Sequence, residues 1–184
     1  MKKKILIILL IPIILIGLSG CGKTNNNEKK DSDKKLVLAD KKLGLKTTFN
    51  YNDKTNITDI EYDTDGASKE LTFVMEDQDA EIQMYYTSMS DNMYKTTQET
   101  RSKQKYYKEY KFGKYKAYAY SEYGSTVKLN ILLKANENKM YDILFVDMQR
   151  LDTDESIIMA EVLEKEELQE LFKSMTFKKT NKQQ

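Results

Sequence analysis

The sequence predicts an α+β domain, a twisted antiparallel sheet of about six strands with helices packed on it. Three observations lead there. Apolar and polar residues alternate through several short segments, most cleanly at Val127, Leu129, Ile131 and Leu133. Turn-forming pairs, Asn52-Asp53 and Asp65-Gly66, separate such segments. A helical period appears near the C-terminus, where Leu168, Leu171, Phe172 and Met175 follow the i, i+3, i+4, i+7 template.

Leu45, Thr47, Phe49 and Tyr51 share one face of a half-buried strand. Asn52-Asp53 turns the chain, and residues 57–62 are expected to return antiparallel to that strand. Asp65-Gly66 marks a hairpin, because a type I′ turn needs positive φ at both central residues. Residues 71–75 and 80–86 are the next strands. A polar, helix-compatible segment covers 91–108, with Ser90 placed to cap it. Strands are then predicted at 114–122, 126–134 and 140–148. In the last of these Tyr141, Ile143, Leu144, Phe145 and Val146 are apolar on both faces, the mark of a central strand covered on both sides. A helix over 164–174 and a short strand close the domain.

Within this order, Phe112-Gly113-Lys114-Tyr115-Lys116-Ala117 turns into a strand, two long strands join at residues 136–139, and Leu171-Phe172-Lys173-Ser174-Met175-Thr176-Phe177 ends the domain. In these features residues 112–177 resemble the C-terminal half of the Mog1/PsbP-like group, which includes DcrB-type bacterial lipoproteins. The resemblance implies an accessory or binding role and carries over no catalytic residue.

The N-terminus has a different character. Lys2, Lys3 and Lys4 precede an apolar run over 5–18. Those 14 residues are too few for the roughly 20 a spanning helix needs and suit a secretory signal. The run ends in Leu18-Ser19-Gly20-Cys21, which resembles the lipobox of bacterial prolipoproteins. That resemblance implies lipid on Cys21 and cleavage after Gly20, so residues 1–20 are expected to be a signal peptide. Two or three acyl chains would hold the protein to the membrane, facing the extracytoplasmic side, where a single chain binds only marginally. Residues 22–35 contain no apolar residue and are expected to be a disordered tether, making 21–35 a lipidated linker. The single domain is then expected at 36–177, with a frayed tail at 178–184.

Cys21 is the only cysteine, so no internal disulfide forms. With no histidine and that thiol lipidated, zinc sites built on Cys or His are excluded. Cleavage would leave 164 residues carrying 27 basic and 29 acidic side chains, a balance that argues against a nucleic-acid binder. No cofactor is expected.

Three segments are candidate sites. Glu61-Tyr62-Asp63-Thr64-Asp65-Gly66 resembles the start of a calcium loop, with acids at alternate positions and glycine sixth. The twelfth position is Thr72 and not a bidentate Glu, so the segment is taken as a solvated hairpin tip with no metal. Residues 94–123 hold eight tyrosines and eight basic side chains against three acids. Within that window Arg101, Lys103, Lys105, Tyr106, Tyr107, Lys108 and Tyr110 are the candidate binders of an anionic wall polymer or lipid headgroup. The structural alternative is that the tyrosines pack on a sheet while the lysines solubilise a helix. Residues 147–170 carry nine acids and two bases, with Asp152 and Glu155 suited to a capping box and Glu164, Glu166 and Glu167 to a helix N-terminus.

No phosphate-binding glycine loop or nucleophile elbow is present, so the chain is read as non-catalytic; a Ser/Lys pair, which has no spacing signature, stays open. The chain is also too short for a two-lobed solute receptor. Two functions follow. The first is an accessory or protein-interaction module among envelope proteins, and the second a binder of anionic wall polymer or headgroups.

Overall fold

A computed structural model describes residues 34–63, 69–121, 124–151 and 159–180. They belong to the unit Asp31–Gln184, and residues 1–33 lie outside the described residues. The signal, Leu18, Ser19, Gly20, Cys21 and most of the expected tether therefore lie outside them, as do Asp65-Gly66, Asp152, Glu155 and the last four residues.

The described strands form two antiparallel sheets. The smaller contains β1 (Lys34–Asp40), β2 (Leu45–Tyr51) and β10 (Thr176–Lys179), in the order β1-β2-β10. The larger contains β3 (Ile57–Asp63), β4 (Glu70–Met75), β5 (Ala80–Ser90), β6 (Tyr106–Phe112), β7 (Tyr115–Ser121), β8 (Thr126–Ala135) and β9 (Met140–Arg150). Its order is β3-β4-β5-β9-β8-β7-β6. Three helices complete the described fold: α1 (Asp91–Arg101), α2 (Met159–Leu163) and α3 (Glu166–Lys173). The class is α+β as predicted, but ten strands in two sheets replace the single sheet of about six.

The pairing of 57–62 with 45–51 is also overturned. Asn52 caps a single 3-10 turn by accepting from Lys54 N at 3.0 Å, and Asn56 leaves it in the left-handed region at φ 45°. That exit sends β3 to the large sheet, where it pairs with β4, while both edges of β2 are taken by β1 and β10. The expected tether ends earlier and the expected tail begins later than the sequence suggests. Lys34 and Lys35 pair with Tyr51 and Asn50, and Lys178 and Lys179 pair with Lys46 and Leu45.

Alternation on the large sheet defines two faces. The inner face carries Leu71, Phe73, Ile82, Met84, Leu129, Ile131, Leu144 and Val146, all fully buried against the small sheet, α2 and α3. Phe172 of α3 joins the layers, with ring centroids 6.2 Å from Phe49 on β2 and 5.1 Å from Phe112 on β6. Tyr86, deep between the sheets, donates to the Leu38 carbonyl at 2.8 Å. β9 is the central strand, and its neighbours Ile143 and Leu144 are both fully buried on opposite faces, as the sequence predicts.

The outer face is crossed by α1, which buries none of its own residues. Ser90 caps it as expected, accepting from Met93 N at 3.2 Å. The helix ends at Arg101, however, and 106–112 is strand β6 in place of the predicted helical continuation. Its residues suit an edge strand: the tyrosines favour extended backbone, while Lys108, Glu109 and Lys111 are exposed.

Candidate functional site

Register across β6, β7, β8, β9 and β5 places aromatic residues in rows on the outer face. One row reads Glu109, Tyr118, Asn130, Phe145, Tyr85. The next reads Tyr107, Tyr120, Lys128, Asp147, Gln83. Tyr118 lies 6.1 Å from both Tyr107 and Tyr120, centroid to centroid, and Tyr94 of α1 stands edge-on over it at 5.9 Å. Tyr118 is 1% exposed and its hydroxyl finds no partner at hydrogen-bonding geometry. Burial pushes its pKa up, the neighbouring tyrosines add to the rise, and Asn130 opposite offsets a part. Arg101 caps the row, its guanidinium 4.8 Å from the Tyr120 ring.

Away from the helix, Tyr85 and Phe145 form a partly buried pair with centroids 4.8 Å apart. Lys128 lies over Phe145 at 5.7 Å and pairs with Asp147 at 3.0 Å.

Between α1 and the β6–β7 hairpin is an open cleft of about 580 Å³, whose lining includes Tyr94, Gln98, Glu109, Lys111, Lys116 and Tyr141, with Leu132 also contributing. Gln98 Nε2 donates to Tyr107 Oη and Glu109 Oε1, both at 3.2 Å, and Tyr107 Oη donates to Glu109 Oε1 at 3.0 Å. Tyr141 Oη donates to Asp91 Oδ1 at 2.5 Å, and Lys95 pairs with the same carboxylate at 3.0 Å. The bond from Tyr141, followed by that from Lys95, holds the Asp91 carboxyl below its ordinary pKa.

The predicted polymer-binding residues divide between the faces and ends of the sheet. Tyr107 is on the outer face, and Arg101 ends α1 beside it. Lys103 and Lys105 are exposed in the connection from α1 to β6. Strand alternation turns Tyr106, Lys108 and Tyr110 to the inner face, where they serve the fold. Lys108 Nζ pairs with Glu164 Oε1 at 2.8 Å, Tyr110 Oη donates to the same oxygen, and the Tyr106 and Tyr110 hydroxyls are 2.6 Å apart. Burial pushes the Glu164 carboxyl up, but the bonds from Lys108 and Tyr110 outweigh it and hold the pKa below the ordinary value. Burial, then the bond to Glu164, pushes Tyr110 far up. Of the calcium-like set, Glu61 and Asp63 lie exposed on edge strand β3, and Asp65 is outside the described residues. Among the described residues no cluster of three or more potential ligands is placed to hold a metal ion, and no helix is long and apolar enough to cross a membrane.

The cleft itself was missed by sequence reasoning. Gly113, at φ 58°, closes the β6–β7 turn and sets Lys111 directly opposite Lys116. Reading 106–120 as a hairpin about Gly113-Lys114 would have paired those lysines. Comparison with family models, with curated proteins and with solved structures finds no match to this chain.

Proposed function

We propose that this chain is a membrane-anchored envelope lipoprotein whose domain is a non-catalytic accessory module, contacting another envelope protein through the outer face of the large sheet. Lipid on Cys21 provides the anchor, with residues 1–20 removed as a signal peptide. The observation that carries the reading is the partly buried Tyr85–Phe145 pair beside Lys128 and Asp147 on the outer face. Aromatic anchors bordered by charge are the composition of contact-surface cores and rims. The non-catalytic part rests on the sequence, which carries no phosphate-binding glycine loop and no nucleophile elbow. Kinship with the Mog1/PsbP-like group belongs to the same proposal and rests on the motifs of residues 112–177.

The test is recovery of partners from membranes with the lipidated chain and with Tyr85→Glu. A partner held by the wild type in high salt and lost by Tyr85→Glu supports the reading. Equal recovery by both chains refutes it, because an apolar contact resists salt and does not survive a buried charge.

A second reading is binding of an anionic polymer or headgroup. It is favoured by lysines without a counter-charge: among the described residues the Lys111 and Lys116 side chains make no ion pair or hydrogen bond, whereas Lys108 on the same strand as Lys111 and Lys128 on β8 are paired.

A further inference from the structure

We infer that the cleft between α1 and the β6–β7 hairpin binds a polyol or sugar phosphodiester, gripped by Lys111 and Lys116. This rests on the second reading above. It moves the site from the Arg101–Lys105 end of β6 to the opposite end, about 20 Å away along a seven-residue strand.

Charge comes first. Lys111 and Lys116 are cross-strand partners and both line the cleft. Directly opposed like charges destabilise a sheet, and an anion held between them removes the repulsion. Glu109 lies on the same face of β6 two residues before Lys111, so the cleft carries two positive charges and one negative. That net positive charge suits an anion, and a phosphodiester brings one together with a carbon chain on either side.

The remaining lining suits a hydroxylated carbon chain. Gln98 and Tyr107 both donate to Oε1 of Glu109, which fixes the carboxylate and leaves Oε2 to accept from a ligand hydroxyl. Tyr94 and Tyr141 stand edge to face at 4.8 Å, and together with Leu132 they offer apolar walls to the carbon skeleton. Tyr141 is tethered to Asp91, so one wall is set before a ligand arrives. Preformed walls lower the ordering cost of binding. The cleft volume of about 580 Å³ is within the range of small-ligand sites.

Two sources supply this chemistry, a polyol-phosphate polymer and a glycerol-phosphate lipid headgroup. Calorimetry on the full chain in an uncharged detergent separates them, using soluble poly(glycerol phosphate) in one arm and micelles doped with phosphatidylglycerol in the other. Lys111→Gln/Lys116→Gln is expected to weaken binding at least about tenfold in whichever arm binds, through loss of two charge-assisted contacts. Lys103→Gln/Lys105→Gln is expected to leave it unchanged. Circular dichroism checks that each variant is folded. Loss in the Lys103/Lys105 variant with retention in the Lys111/Lys116 variant overturns the cleft assignment and leaves the anionic-binding reading standing. No binding of either probe by the wild type overturns both.

Discussion

Lys179 Nζ lies 3.0 Å from Asp142 Oδ2, tying the last strand of the small sheet to the central strand of the large one. The Asp142 side chain is 10% exposed and also accepts from Ser88 and Asn136. Asp142→Ala removes these bonds, whose donors water can reach, and is expected to cost about 0.5–1.5 kcal/mol. Lys179→Ala, whose ammonium is half exposed, is expected to cost at most about 1 kcal/mol. Urea unfolding of the two single variants and the double variant measures both values and their coupling.

Phe172 is fully buried between Phe49 and Phe112, one ring from each sheet. Phe172→Ala is expected to destabilise the domain by about 3–5 kcal/mol, through lost burial and the cavity left behind. Phe172→Leu should recover most of that loss. Equal urea midpoints for the alanine variant and the wild type would mean that α3 does not seal the two layers.

Alkaline pH should loosen the outer face. Burial raises Tyr94 from the ordinary 10.0 to about 12, and burial raises Tyr118 as well. Each hydroxyl keeps its proton longer in the folded chain than in the unfolded one. Their contribution is therefore complete below about pH 10 and is lost as pH climbs toward about 12. Urea midpoints measured through that window should fall, and Tyr94→Phe should flatten the part of the fall due to Tyr94.

Ser90 closes the first turn of a helix that buries none of its own residues. Ser90→Ala is expected to weaken α1 by about 1 kcal/mol. Because α1 packs lightly, the effect should appear in hydrogen exchange of 93–101 before it appears in global unfolding.

Much of the inner architecture was legible because it follows a simple period. Val127, Leu129, Ile131 and Leu133 alternate and are all buried on one face of β8. Leu168, Leu171 and Phe172 follow the helical template and seal α3. Edge strand β6 was not legible, since its exposed lysines and glutamate mask the alternation and are equally suited to a helix. The union of β10 with β2 joins residues about 130 apart, a pairing that no local pattern encodes. The candidate site shows the same division. The tyrosine-rich, basic window was visible, but which side chains face outward depends on register. That register places Lys108 and Tyr110 against Glu164 and Lys111 opposite Lys116.

The outer face of the large sheet is proposed as the contact surface of a membrane-anchored module. It is tested most directly by photo-crosslinking in intact membranes, with the reactive residue placed at Tyr85 or, as a control, at Ile60 on edge strand β3. The prediction is a discrete adduct with one envelope protein from position 85, absent from position 60 and lost when Cys21→Ala releases the chain. Adducts of equal yield from both positions, or none from position 85 while the protein remains membrane-bound, would contradict it.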